Sequence, residues 1–219
     1  MSNRGCNFNS TNNSTNIYTV DDIGDIRIKG IVPRIDRRPK DVSKLLHKLS
    51  DMYFKTKFGI AYRSNSFFCT GNKSFASDYG SVCLIFPIGD FNFCWSPAVH
   101  DFYSPSLNDV YERHEIDCII AVEKEFDVRM DSDGYWIDNV TNEYLGYSEG
   151  KIIHEIVENE LFKKISTYMD KKEYKNTDLS AAILSGNEIM LSCKKAFLVD
   201  MPKEDMGYFF DDLKRMIRG

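Results

Sequence analysis

The chain has 219 residues, 42% hydrophobic and 28% charged, which is ordinary globular usage and enough for one sizeable core. Its formal net charge of -5 argues against a general nucleic-acid binder, whose electrostatic footprint is basic. No run reaches the ~18 apolar residues of a membrane span, and the opening MSNRGCNFNSTNNSTN lacks an apolar core, so a cytoplasmic protein without a membrane partner is expected.

Residues 1–20, rich in Asn and Ser, read as a flexible arm ahead of a single domain over 21–219. Asp25–Val32 alternates weakly and predicts a short strand. Arg34, Arg37, Arg38 and Lys40 follow as a basic patch, read as a solvated loop. From Asp41 to Tyr53, Val42, Leu45, Leu46, Leu49, Met52 and Tyr53 fall on one helical face. Asp41 or Ser43 is a candidate cap and Gly59 a stop. GIAYRS and FFCTG predict two strands around a tight Asn65-Ser66 turn, and NKSFASDYG one or two helical turns. VCLIFPIG and FNFCWS predict two more strands, the second closed by Pro97.

A helical and hairpin insert is expected over about 105–176. Residues 107–126 read as a helix, DSDGYWIDNVTNEYLGY as a surface hairpin, and 151–168 as a helix striped by Ile152, Ile153, Ile156, Val157, Leu161, Phe162, Ile165 and Tyr168. A short helix TDLSAAIL, a strand NEIMLSCKKAFLV and a last helix GYFFDDLKRMI complete the chain. Strands and helices intersperse without regular βαβ alternation, which makes the class α+β.

Cys6, Cys69, Cys83, Cys94, Cys118 and Cys193 form no CxxC pair and no zinc spacing; reduced, buried thiols are expected. His47, His100, His114 and His154 are scattered, and no HExxH occurs. Asp131-Ser132-Asp133-Gly134 begins like a calcium loop but lacks the later acidic ligands, so a turn is expected. Two charges stand out on predicted core strands: Arg63, late in GIAYRS, and Glu188, opening an apolar strand. Such a pair is either a buried salt bridge or the two ends of a site for an anionic, ribose-bearing ligand.

Tyr62-Arg63-Ser64 resembles the arginine strand of the Arg-Ser-Glu class of ADP-ribosyltransferases. Phe67-Phe68-Cys69-Thr70-Gly71 resembles the family's Phe-x-Ser-Thr-Ser strand, with Cys69 and Gly71 in place of two serines. Lys73–Gly80 is similar to the following helix with its Ala-x-x-Tyr pattern, and Ser185–Leu191 to the strand bearing the family's glutamate. The wider likeness, over roughly residues 34–104 and 177–199, is to tailed-phage proteins of this type. It implies an ADP-ribosyltransferase-like split mixed β-sheet flanked by helices. It further implies an NAD-dependent mono-ADP-ribosyltransferase acting on a host macromolecule, protein or nucleic acid, in the host cytoplasm during infection. Glu188 would be catalytic, stabilising charge on the ribose, and Arg63, Ser64, Thr70 and Tyr79 would bind NAD as substrate. Gly186 stands where arginine-modifying members carry Glu or Gln, so modification of arginine is not expected.

The other reading is a catalytically inactive protein of the same fold, serving as a binding or virion-associated component. The enzyme reading expects Arg63, Thr70, Tyr79 and Glu188 to converge on one cleft; the second expects Arg63 and Glu188 to pair directly.

Overall fold

A computed structural model describes residues 2–3, 18–23, 26–34, 42–102, 105–200 and 203–218. The remainder of the 1–20 arm and most of the Arg34–Lys40 patch lie outside the described residues.

The elements run β1 (Ser2–Asn3), β2 (Tyr18–Ile23), β3 (Ile26–Ile31), α1 (Lys44–Phe58), β4 (Phe67–Thr70), α2 (Lys73–Ser77), β5 (Leu84–Trp95), α3 (Pro105–Phe126), β6 (Val128–Met130), β7 (Trp136–Asp138), α4 (Tyr147–Asp170), α5 (Leu179–Ser185), β8 (Glu188–Asp200) and α6 (Lys203–Arg218). The α+β class holds. The sheet is not mixed, however: every pairing among the described strands is antiparallel.

β8 organises the six-stranded sheet. β5 lies along one edge from Leu84↔Val199 to Trp95↔Ile189. On the other edge β4 pairs with Glu188–Leu191 and β3 with Ala196–Asp200, so two strands share one edge end to end and the sheet forks there. β1 meets both Thr70 and Leu84, which gives part of the predicted arm a place in the sheet.

The expected pair of strands VCLIFPIG and FNFCWS is one strand, β5. Its register shifts between Ile88 and Phe91, where Gly89 takes φ of 73°. Two residues there oppose one, and glycine accepts the left-handed conformation that such a bulge requires. The turn-like glycine marks a bend within one long strand.

The helices follow their apolar spacing. Ser43 caps α1 by accepting from the Leu46 amide at 2.9 Å, and Gly59 ends it with φ of 77°. In α4 the buried Ile153, Val157, Leu161, Ile165 and Met169 recur every fourth residue, and the helix starts four residues earlier than its stripe predicts. α1, α3, α4 and the β6–β7 hairpin pack on one sheet face around Phe54, Tyr62, Phe68, Phe102, Leu161 and Met190. α5 packs with the other face, around Cys69, Ile183, Ile189, Leu191 and Leu198. Among the described residues no helix is long and apolar enough to cross a membrane.

Candidate functional site

Alternation along β8 decides which side chains meet. Glu188 and Met190 face the larger core, while Ile189 and Leu191 face the smaller one. Thr70 lies opposite Glu188 on β4, and Phe68 opposite Met190. Cys69 packs in the smaller core. The first of the two replaced serines therefore lies on the sheet face away from Glu188.

Arg63 sits in a turn, not in the strand predicted for GIAYRS; residues 62–64 turn and the next strand begins at Phe67. Asp51 on α1 shapes this turn. Its carboxylate accepts the amides of Arg63 at 2.7 Å and Ser64 at 3.2 Å, and also the Ser64 hydroxyl. A carboxylate that binds successive amides replaces the ladder hydrogen bonds a strand would supply, which is why the alternation misleads here. Ser64, expected to bind NAD, holds the turn against α1, where His47 Nε2 lies 3.0 Å from its oxygen. The Ser64–His47–Asp51 group has no nucleophile geometry. One imidazole nitrogen faces both partners, so the carboxylate does not orient the ring from its far side.

The turn aims Arg63 into the protein. Arg63 is 1% exposed and Glu188 5%, and Arg63 Nη1 donates to Glu188 Oε1 at 2.7 Å. The guanidinium carbon lies 4.2 Å from the ring centres of both Phe68 and Phe102. A cation held between two rings and bonded to a carboxylate has its lost hydration replaced on three sides.

Thr70 turns its hydroxyl along the sheet edge. It donates to the Gly186 carbonyl at 2.6 Å and accepts from the Asn72 amide at 3.0 Å, tying β4 to the start of β8. The second replaced serine has a steric explanation. A Cβ on Gly71 would lie 1.8 Å from the Ile183 carbonyl oxygen, so no side chain fits there.

A segment not expected from the sequence covers Glu188. The Glu188 amide donates to the His100 carbonyl, and Asn187 Nδ2 donates to the carbonyls of Ser96 and Pro97 at 2.9 and 3.1 Å. His100 stacks on Phe75 with ring centres 4.0 Å apart. Residues 96–102 are thereby fastened over the start of β8 and carry Phe102 onto Arg63. Tyr79, also expected to bind NAD, lies on the rim of this segment. It is 41% exposed, donates to Asp101 and meets Phe75 edge-on. Asp51 and Phe102 lie outside the quoted motifs, and for Asn187, within one, only its placement shows what it does.

Behind the covering segment is a cavity of about 380 Å³, lined by Val99, His100, Phe102, Leu107, Tyr168 and Tyr174 among others. That volume falls within the roughly 300–1,000 Å³ of small-molecule sites. Arg63 and Glu188 do not line it. Burial, and next the neighbouring Glu188, push the Tyr174 phenol well above its ordinary range, so it stays neutral. Among the described residues no group of His, Cys, Asp and Glu could hold a metal. The Asp131–Gly134 turn is closed by its own backbone, through Gly134 N to Asp131 O at 3.1 Å.

Comparison with known proteins finds no matching family model, curated sequence or solved structure.

Proposed function

We propose that the chain is an NAD-cleaving domain of the ADP-ribosyltransferase type, with Glu188 and Arg63 as the centre of its site. The observation behind this reading is the meeting of Arg63, Thr70 and Glu188, which come from three separate segments onto one sheet face. The chemistry suits these groups. Breaking the bond between nicotinamide and ribose sends its electron pair to the leaving ring nitrogen and leaves positive charge on the ribose carbon. A carboxylate at that carbon stabilises the charge, and a guanidinium suits the pyrophosphate. The acceptor then forms the new bond and gives up its proton.

For NAD to reach Glu188, Phe102 must leave Arg63, and the ligand's phosphates must take over part of the pair. The adjacent cavity, walled by Phe102, Tyr168 and Tyr174, offers the aromatic surface that a flat cationic ring would use.

A second reading is favoured by the direct pairing of Arg63 with Glu188, which it expects, by the near-complete burial of the pair and by the place of Tyr79 away from it: a structural ion pair that fixes the fold of a binding protein. One experiment separates the two. Nicotinamide release from NAD is measured for the natural protein and for Phe102→Ala, which uncovers Arg63. Release by the natural protein, or by Phe102→Ala alone, supports the enzyme reading. No release from either, with both folded, supports the structural one.

A further inference from the structure

A second concavity, unconnected with the Arg63–Glu188 region, lies between the β6–β7 hairpin and the first turns of α4. Its volume is about 660 Å³. Its walls are unusual for a surface: Tyr135, Tyr144 and Tyr147 are 65%, 66% and 88% exposed, and all three line the same hollow. Tyr135 and Tyr144 meet edge to face with centres 6.2 Å apart. Three large aromatic rings left in water at one place form an apolar patch beyond the scattered exposure normal for a surface.

The floor supplies a different kind of signal. Trp136 lines the hollow, is 3% exposed, and its Nε1–H is buried without an acceptor among the described residues. Its ring lies against that of the exposed His154, centres 5.7 Å apart. A buried donor of this kind costs free energy unless something supplies an oxygen.

Charge settles the sign of the occupant. Asp131 and Asp133 line one side. The amides of Tyr135 and Asp133 bond the Asp131 carboxylate at 2.9 Å and hold its pKa below the usual value, so it is anionic at neutral pH. Lys151, the lysine of the lining, is exposed and lies 3.9 Å from Glu155, so water screens its charge. Tyrosine faces attract cations, and carboxylates beside them strengthen that attraction.

We propose that this hollow binds a basic side chain, arginine or lysine, presented on a peptide segment of a protein partner. The cation lies among Tyr135, Tyr144 and Tyr147 beside Asp131 and Asp133. A carbonyl of the same peptide takes the Trp136 N–H as the His154 ring turns aside. This site stands apart from any NAD chemistry and survives the failure of that reading.

The test uses the full-length protein, two blocked peptides of alternating glycine with arginine or with glutamate, and tryptophan fluorescence with calorimetry as readouts. The arginine peptide should bind and the glutamate peptide should not. Tyr147→Ala and Asp133→Asn, both at exposed positions, should each weaken binding by roughly fivefold, and added salt should weaken it further. Trp136→Phe should keep the fold and lose part of the affinity. No binding of the arginine peptide would overturn the proposal. So would binding that Tyr147→Ala and Asp133→Asn together leave unchanged, or binding of free spermine with none of the peptide.

Discussion

Replacing Glu188 by leucine isolates the most unusual feature of the structure. Arg63 is 1% exposed and donates to Glu188 at 2.7 Å. Arginine does not deprotonate in proteins, so it cannot escape by losing its charge. Glu188→Leu therefore takes the buried carboxylate to which Nη1 donates away from a guanidinium held between Phe68 and Phe102. Removing one partner of a buried pair costs about 3–5 kcal/mol. That is a large part of the ~5–15 kcal/mol stability of a typical domain. With a urea slope of about 3 kcal/mol per molar, the unfolding midpoint should fall by about 1–2 M. Arg63→Met combined with Glu188→Leu removes both charges, and methionine suits a slot between two rings. The double variant should recover most of the loss. Equilibrium urea unfolding followed by circular dichroism measures both. A midpoint drop below about 0.3 M for the single variant would refute the reasoning, as would a double variant no more stable than the single.

Other consequences follow from packing and titration. Gly71→Ala forces a Cβ onto the Ile183 carbonyl, so it should destabilise by about 1–3 kcal/mol or more, read as a lowered thermal midpoint. Leu161→Ala empties a fully buried position in α4 and should cost about 2–5 kcal/mol in denaturant unfolding. Burial raises the Cys193 thiol from 9.0 to about 11 and the Tyr53 phenol from 10.0 to about 12. Both are neutral in the fold, so the folded state binds more protons than the unfolded chain in this range. Their contribution is intact below pH ~9 and is lost as pH rises through the folded values. Unfolding midpoints measured from pH 8 to 11.5 should therefore fall; a flat profile would contradict the assignment.

Helices were the most legible part of the chain because their apolar spacing reports the face they bury. Leu46, Leu49 and Tyr53 in α1 did so with a cap and a stop in place. The strands were legible in existence but not in extent: Gly89 looked like an end and is a bulge. GIAYRS misled because its geometry is set by Asp51, a residue twelve positions away from Arg63 on another element. The joining of Arg63 to Glu188, 125 residues apart, was readable only as two alternatives, ion pair or ligand site. What lies over the pair could not be read at all. Phe102 reaches Arg63 through a segment held over the start of β8 by carbonyl groups that bond Asn187 and the Glu188 amide, and carbonyls leave no mark in a sequence.

The most direct test of the central claim is nicotinamide release from NAD by the natural protein beside Glu188→Gln, which keeps the side-chain shape and an oxygen for Arg63. Both proteins are checked for folding by circular dichroism at the assay temperature. The account predicts release by the natural protein and its loss in folded Glu188→Gln. Equal release from both would remove Glu188 from the chemistry, and no release from the natural protein or from Phe102→Ala would leave the pair as a structural element.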